Sequence, residues 1–337
     1  MPARNRIVPR PAVECSLNQP PLRNTAMSLR KGLSLVEVLT AIFITGLGII
    51  SILTLFPLGA MRMAQAFRDE RSALAAYNAE QFFRSYWKKH VVEAAPRDPF
   101  FWDLDQPAAG MPPCLPHEPS YPVVVDPMGF LARAGLLNQS WFGDTPTPTR
   151  IPRRNLQVVG NNPTAALSLC SLRDGIVADD NGNPLEREFR YNFLWVVQRP
   201  RNADRFHANL TIVVFDRRAP MYVPPRSEQV FHNVTFNPGQ TSLLLPGVRL
   251  NQLEIRSGDW VMDGTIYDPS SGIGRPGLRH AYFYRVTAMT ETTTGTLLEI
   301  QPPLRTPADG NLASYPGTLI LLRGVSGVFV RHPLTGD

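Results

Sequence analysis

The chain has 337 residues, with 34 Lys and Arg against 28 Asp and Glu, a formal net charge of +6, and 33 prolines. Residues 1–32 hold Arg4, Arg6, Arg10, Arg23, Arg30 and Lys31 against Glu14 alone, so residues 33–337 carry a net charge of only +1. That near balance excludes a polyanion-binding role founded on overall charge. The three cysteines, Cys15, Cys114 and Cys170, include no Cys-x-x-Cys pair, which removes the usual zinc and thioredoxin-like patterns.

In chain order, residues 1–26 contain five prolines and no apolar periodicity, the composition of a segment that builds no core. Met27 opens the short basic stretch Met-Ser-Leu-Arg-Lys-Gly, and translation is expected to start there. Lys31-Gly-Leu-Ser-Leu-Val-Glu-Val-Leu-Thr-Ala41 follows, with one carboxylate, Glu37, at the start of an apolar run. Val38–Met61 is uncharged, and Arg62 ends the run. Helix of that length is about 36 Å long, enough for a hydrocarbon core of roughly 30 Å. A cleaved signal peptide has a much shorter apolar region. The basic residues ahead of the span predict an N-terminus kept in the cytoplasm and an exported remainder.

These residues resemble the N-terminus of type IV prepilins and of type II secretion pseudopilins. In that family a basic leader ending in glycine is removed by a prepilin peptidase, the new N-terminal residue is N-methylated, and the fifth mature residue is glutamate. The resemblance implies a leader 1–32 with its charge at Arg30 and Lys31, cleavage between Gly32 and Leu33, methylation of Leu33, and Glu37 as the assembly charge. Leu33 departs from the phenylalanine most common at that position. Gly46, Gly48 and Pro57 match the family's habit of weakened helix in this stretch. The implied partners are the prepilin peptidase, other pilin or pseudopilin subunits, an inner-membrane assembly platform and the lipid bilayer. Nucleic acid is not an expected partner.

Residues 33–94 therefore read as a pilin-like helix whose transmembrane part is 36–60. Its exported half lacks proline and glycine from 61 to 94 and sets Met63, Phe67, Leu74 and Tyr77 at helical spacing, with Phe82, Phe83, Tyr86 and Trp87 beyond. In pilins this half packs on a β-sheet, and the stripe is expected to do so here. Residues 95–187 are a proline-rich connection, with short helices expected near Pro127–Leu137 and Thr164–Leu172. Strands are expected at Phe189–Gln198 and Phe206–Phe215, joined as a hairpin, then at Gln229–Phe236, Ser242–Leu245, Trp260–Met262, His280–Met289, Thr296–Ile300, Thr318–Arg323 and Val325–Val330. The fold class is α+β: a long N-terminal helix on an antiparallel sheet at 188–245, followed by a β-rich module, barrel or sandwich, at 246–337. Gly258-Asp-Trp-Val261 and His280-Ala-Tyr-Phe-Tyr-Arg-Val286 loosely resemble large pseudopilin-like proteins of planctomycete-type bacteria.

Catalytic patterns are missing from the sequence. None of the six histidines forms His-Glu-x-x-His, and there is neither a Gly-x-Ser-x-Gly elbow nor a phosphate-binding loop. Asp174 and Asp179-Asp-Asn-Gly-Asn183 are oxygen-rich and open to calcium, but their spacing is not that of an EF-hand and a turn is the first reading. No cofactor is otherwise expected. Cys114 and Cys170 are the pair an exported domain allows to bridge, with two buried thiols as the alternative. Arg199, Arg201, Arg205, Arg217 and Arg218 lie near one hairpin with Asp204 and Asp216 among them, and a solvated charged edge is the expectation. The functional expectation is a minor or tip pseudopilin, assembled through its helix and without enzymatic activity. Its rivals are a DNA-uptake or adhesive minor pilin and a membrane-anchored envelope enzyme.

Overall fold

The computed structural model describes residues 34–107, 111–115, 117–132, 151–172, 176–178, 184–187, 190–216, 218, 228–253, 255–267 and 272–336. The chain forms two units, residues 1–60 and 61–337. Helix α1 spans Leu35–Trp87, and its backbone passes into a wider π-helical turn over Lys88–Val92. In the first unit α1 is surrounded by no other described element.

In the second unit α1 meets a five-stranded sheet. Its strands are β1 (Val123–Val125), β2 (Arg153–Arg154), β5 (Tyr191–Gln198), β6 (Ala208–Asp216) and β13 (Val325–Leu334), in the order β13-β6-β5-β1-β2. All neighbours are antiparallel except β1 and β2, which run parallel. Strands β3 (Ile176–Ala178) and β4 (Pro184–Arg187) pair separately as a hairpin. The short helices are α2 (Pro99–Asp103), α3 (Pro127–Ala132) and α4 (Pro163–Leu169). Proline at the first turn suits α2 and α4, because a missing N–H costs nothing there. Asp98 caps α2 at Phe100 N, and Asn162 caps α4 at Ala165 N.

Alternate residues of the five-stranded sheet serve two cores. Tyr191, Phe193, Trp195 and Val197, with Leu210, Ile212 and Val214, face α1 and its Phe83, Tyr86 and Trp87. Leu194, Val196, Val213 and Phe215 point the other way, onto Met262, Phe283, Ile320 and Leu322 of a second sheet. Burial on both faces explains why 191–198 is almost continuously apolar instead of alternating.

The second sheet has six strands: β7 (Glu228–Phe236), β8 (Ser242–Pro246), β9 (Trp260–Asp263), β10 (Tyr282–Thr292), β11 (Gly295–Gln301) and β12 (Tyr315–Leu322), ordered β7-β12-β9-β10-β11-β8. Its two edge strands are consecutive in the chain. Laid flat, edges five strand spacings apart would stand about 24 Å from each other. Residues 237–241 reach at most about 21 Å when fully extended, and they are turned, with Gln240 N bonded to Asn237 O and Gly239 N to Leu304 O. The sheet therefore curls until β7 and β8 approach. The interior of the curl is a third core of Val234, Phe236, Leu243, Leu245, Val261, Tyr284, Val286, Leu298, Ile300, Leu319 and Leu321.

The expected boundary at residue 246 does not separate the sheets. Strands β7 and β8 belong with the C-terminal strands, and β13 leaves them to edge the five-stranded sheet. The crossing from β12 to β13 takes two residues, Arg323 and Gly324. Gly324 has φ +76°, and a Cβ there would stand 3.3 Å from Asp216 O, so the corner requires glycine. Alternation along a strand encodes which faces are buried, not which strand lies alongside, so this exchange of partners has no local signal.

Candidate membrane-anchoring and assembly segment

Every residue from Ser34 to Ala60 is exposed, apart from half-buried Gly46. Among the described residues this is the one helix long and apolar enough to cross a membrane, with a mean hydropathy of 2.4 over its best window. Its hydroxyls are satisfied within the helix. Thr40 and Thr45 Oγ1 donate to Val36 O and Ala41 O, each at 2.7 Å, Ser51 Oγ to Leu47 O at 2.9 Å, and Thr54 Oγ1 to Ser51 O at 2.8 Å. In hydrocarbon each unpaired polar group would cost several kcal/mol, so such back-bonding is what lipid demands. Glu37 lies in the first turn, where its charge opposes the positive end of the helix dipole. With Val38, Ala41, Thr45 and Gly46 it borders a groove on the helix surface. Arg30, Lys31, Gly32 and Leu33 fall outside the described residues.

The second half of α1, from residue 61 on, buries a different face from the one its aromatic spacing suggests. Met63, Phe67, Leu74 and Tyr77 remain between 49 % and 60 % exposed. Ser72, Ala75, Ala76, Ala79 and Phe83 meet the sheet instead. At 3.6 residues per turn the two sets lie on roughly opposite sides. Small side chains bring the helix backbone close enough for Trp195 Nε1 to donate to Ala79 O at 3.0 Å. Further on, the expectation holds: Phe83 stacks on Trp195 with centroids 5.2 Å apart, and Trp87 Nε1 reaches Phe206 O at 3.2 Å. Arg84 ties the helix to β13 through Pro333 O and His332 O and to its own Glu80, whose other oxygen lies 3.3 Å from Arg331 Nε.

Two buried polar clusters escaped the sequence reading. In the first, Asp126 receives both terminal nitrogens of Arg218 at 2.8 and 2.6 Å, and Arg153 lies between Asp126 and Glu228. Burial alone would raise the Asp126 carboxyl, but Arg218 and Arg153 outweigh it and hold it at about 2. Gly129 N also donates to Asp126 Oδ1 at 3.0 Å. The cluster joins β1 and β2 of one sheet to β7 of the other. In the second, Asp263 accepts from Tyr315 OH at 2.8 Å and from Thr265 Oγ1, and stands 2.8 Å from His280 Nε2. Burial, then the Asp263 charge, pushes the Tyr315 hydroxyl far above its ordinary value, which keeps it a donor. All four side chains are within the fold, so the arrangement is placed to hold the curled sheet together. The sequence shows of this cluster only that His280 opens an expected strand.

The cysteines are separate thiols. Cys170 is buried in the core beside α1 and burial raises it well above its ordinary value, while half-buried Cys114 points its Sγ at Pro119 O. Asp174 and 179–183 lie outside the described residues, and no group of three or more His, Cys, Asp or Glu fit for a metal occurs among the described ones. Of the arginines near the β5–β6 hairpin, Arg201 and Arg205 are exposed, as a solvated edge requires, while Arg199 and Arg218 are drawn inward. Arg199 pairs with Asp105, Arg201 bonds His117 O and Ala308 O, and Arg218 is buried on Asp126; Arg217 is outside the described residues. A cleft of about 430 Å³ lies between α2 and the 155–161 turn, bordered by Asp98, Asp103, Phe130 and Arg154. Its carboxylates are engaged, Asp98 by Tyr86 and the Phe100 and Gln157 amides, and Asp103 by Arg154. Burial raises Asp103 in spite of that guanidinium.

No protein-family model, curated protein or solved structure matches this chain.

Proposed function

We propose that the chain is a pilin-like structural subunit, a minor or tip pseudopilin of a type II secretion or type IV pilus-like system, with no catalysis of its own. The observation that carries this reading is a single helix, Leu35–Trp87, that is apolar and unpartnered at one end and bound to a sheet at the other, with Glu37, the one carboxylate of its apolar end, five residues after Gly32. In this reading a prepilin peptidase cuts between Gly32 and Leu33, and Leu33 is N-methylated. The subunit waits in the inner membrane with its N-terminus in the cytoplasm and residues 61–337 exported. On assembly Glu37 pairs with the α-amino group of Leu33 in a neighbouring subunit. Such a pair in low dielectric is demanding of geometry, so it sets register more than it adds stability.

The exposed stripe supports assembly through the helix. Met63, Phe67, Leu74 and Tyr77 stand four, seven and three residues apart on one side of the helix, with Glu70 at the intervening position, and the folded unit leaves them uncovered. The six-stranded sheet adds bulk that suits a tip or minor position better than one repeated along a filament. The test has two parts. Mass spectrometry of the purified mature protein should find N-methyl-leucine at Leu33, and an intact Arg30-Lys31-Gly32 junction would refute processing. Glu37→Ala should be cleaved normally yet fail to enter a filament or tip complex; normal incorporation would refute the assembly role.

A further inference from the structure

Three guanidinium groups gather around one buried ring. The Arg97, Arg199 and Arg205 guanidinium carbons stand 6.0, 5.7 and 5.5 Å from the Phe101 centroid. Phe206 stacks on Phe101 at 5.6 Å and has Arg97 at 5.2 Å, while Trp102 has Arg205 at 4.7 Å. Aromatic faces orient the planar guanidinium without consuming its in-plane N–H groups.

One carboxylate serves two of the three. Asp105 pairs with Arg199 and lies 3.6 Å from Arg205, and Arg199 Nε donates to the Arg205 carbonyl at 3.0 Å. Among the described residues Arg97 has no carboxylate partner; neighbouring Asp98 is taken by Tyr86 and two backbone amides. Asp204 is exposed and pairs with none of the three. Arg97 Nε and Arg199 Nη2 are buried nitrogens without an acceptor. The cluster thus holds two positive charges in excess and two orphaned donors, whereas the buried Arg153, Arg218 and Arg279 are each paired with carboxylates. Buried N–H groups are ordinarily paired, and guanidinium forks match the oxygens of phosphate and sulfate.

We infer that Arg97, Arg199 and Arg205 form a binding site for a dianionic oxyanion, a sulfate or phosphate group, beside the exposed Trp102. The site is independent of the assembly role, since none of its residues lies on α1.

The experiment uses the full chain in detergent, titrated with sodium sulfate at an ionic strength held constant with sodium chloride, and reads both heat of binding and unfolding temperature. Saturable binding at one sulfate per chain with a raised unfolding temperature is expected. Arg97→Gln and Arg205→Gln should each weaken it by roughly tenfold or more, the scale of one charge-assisted fork, with unchanged circular dichroism. Arg201→Gln, whose bonds go to His117 and Ala308, should bind as the unaltered chain does. A parallel titration with a sulfated oligosaccharide identifies the source: the same arginine dependence with tighter binding means a polymer-borne group, and equal affinity means the free ion. Stabilisation no greater than chloride gives, or full binding by Arg97→Gln and Arg205→Gln, would overturn the inference.

Discussion

The two halves of α1 solve opposite problems with one backbone. From Leu35 to Ala60 the helix is apolar on all sides, and its polar side-chain groups are limited to hydroxyls that bond back within the same helix and to Glu37 at the end. Nothing in the first unit depends on a particular neighbour. From Met61 to Ala79 the helix is two-faced, with alanines and a serine against the sheet and aromatic and thioether side chains left open on the other side; Phe83, Tyr86 and Trp87 beyond join the buried face. There, position matters residue by residue. The inversion of the usual rule, small residues in and large ones out, shows that the folded unit uses only one side of the helix and leaves a second apolar side free.

The contrast is broken most severely from the folded side. Asp126→Ala takes from Arg218 its bidentate carboxylate and from Arg153 one of the two carboxylates beside it, and loss of a partner in such a cluster costs about 3–5 kcal/mol, read as a fall in the urea midpoint of the full chain in detergent. Acid does the same more gently. The folded Asp126 sits at about 2, below the roughly 3.9 of an unfolded aspartate, so its stabilisation is complete above the unfolded value and is lost as pH falls toward 2. Its share is on the order of 2 kcal/mol. In Asp126→Ala that part of the acid dependence should vanish.

Next comes the helix–sheet contact. Ala79→Leu places a larger side chain where the backbone carbonyl receives Trp195, and overpacking of this kind costs about 1–3 kcal/mol. Unfolding followed by tryptophan fluorescence measures it, and an unchanged midpoint would mean that the small-residue face is not a close contact. The smallest stability effect belongs to the open face. Leu74→Ser together with Tyr77→Ser should alter stability by no more than about 0.5 kcal/mol per site while reducing incorporation into an assembly. If the double variant unfolds as easily as Ala79→Leu, the stripe is part of the fold and the comparison between faces fails.

Much of the fold was legible before any coordinates. Strands expected at Phe206–Phe215 and Gln229–Phe236 are found at Ala208–Asp216 and Glu228–Phe236, because β-branched and aromatic runs between turn residues carry a strong local signal. Strand β1 was hidden among prolines: Val123–Val125 is three residues long, too short for a period to register. The stripe of Met63, Phe67, Leu74 and Tyr77 was visible as a stripe and assigned to the wrong side, since hydrophobicity predicts burial against something without naming what. The arginines of the β5–β6 hairpin were visible as a run of charge, but their partners come from 105, 117, 126 and 308, far away in sequence.

By itself the sequence determined that one N-terminal helix is long and apolar enough to cross a membrane and where Glu37 lies in it, and it located the longer strands, because length, charge and short-range periodicity decide those. Tertiary structure decided which face of α1 meets the sheet, that β7 and β8 close the six-stranded sheet, and that β13 crosses over to edge the other one. It also decided that Asp126 and Asp263 would gather buried partners. Those outcomes depend on which distant surfaces fit together. A repeat of two or of 3.6 residues records that a side chain is to be covered, and only packing settles by what.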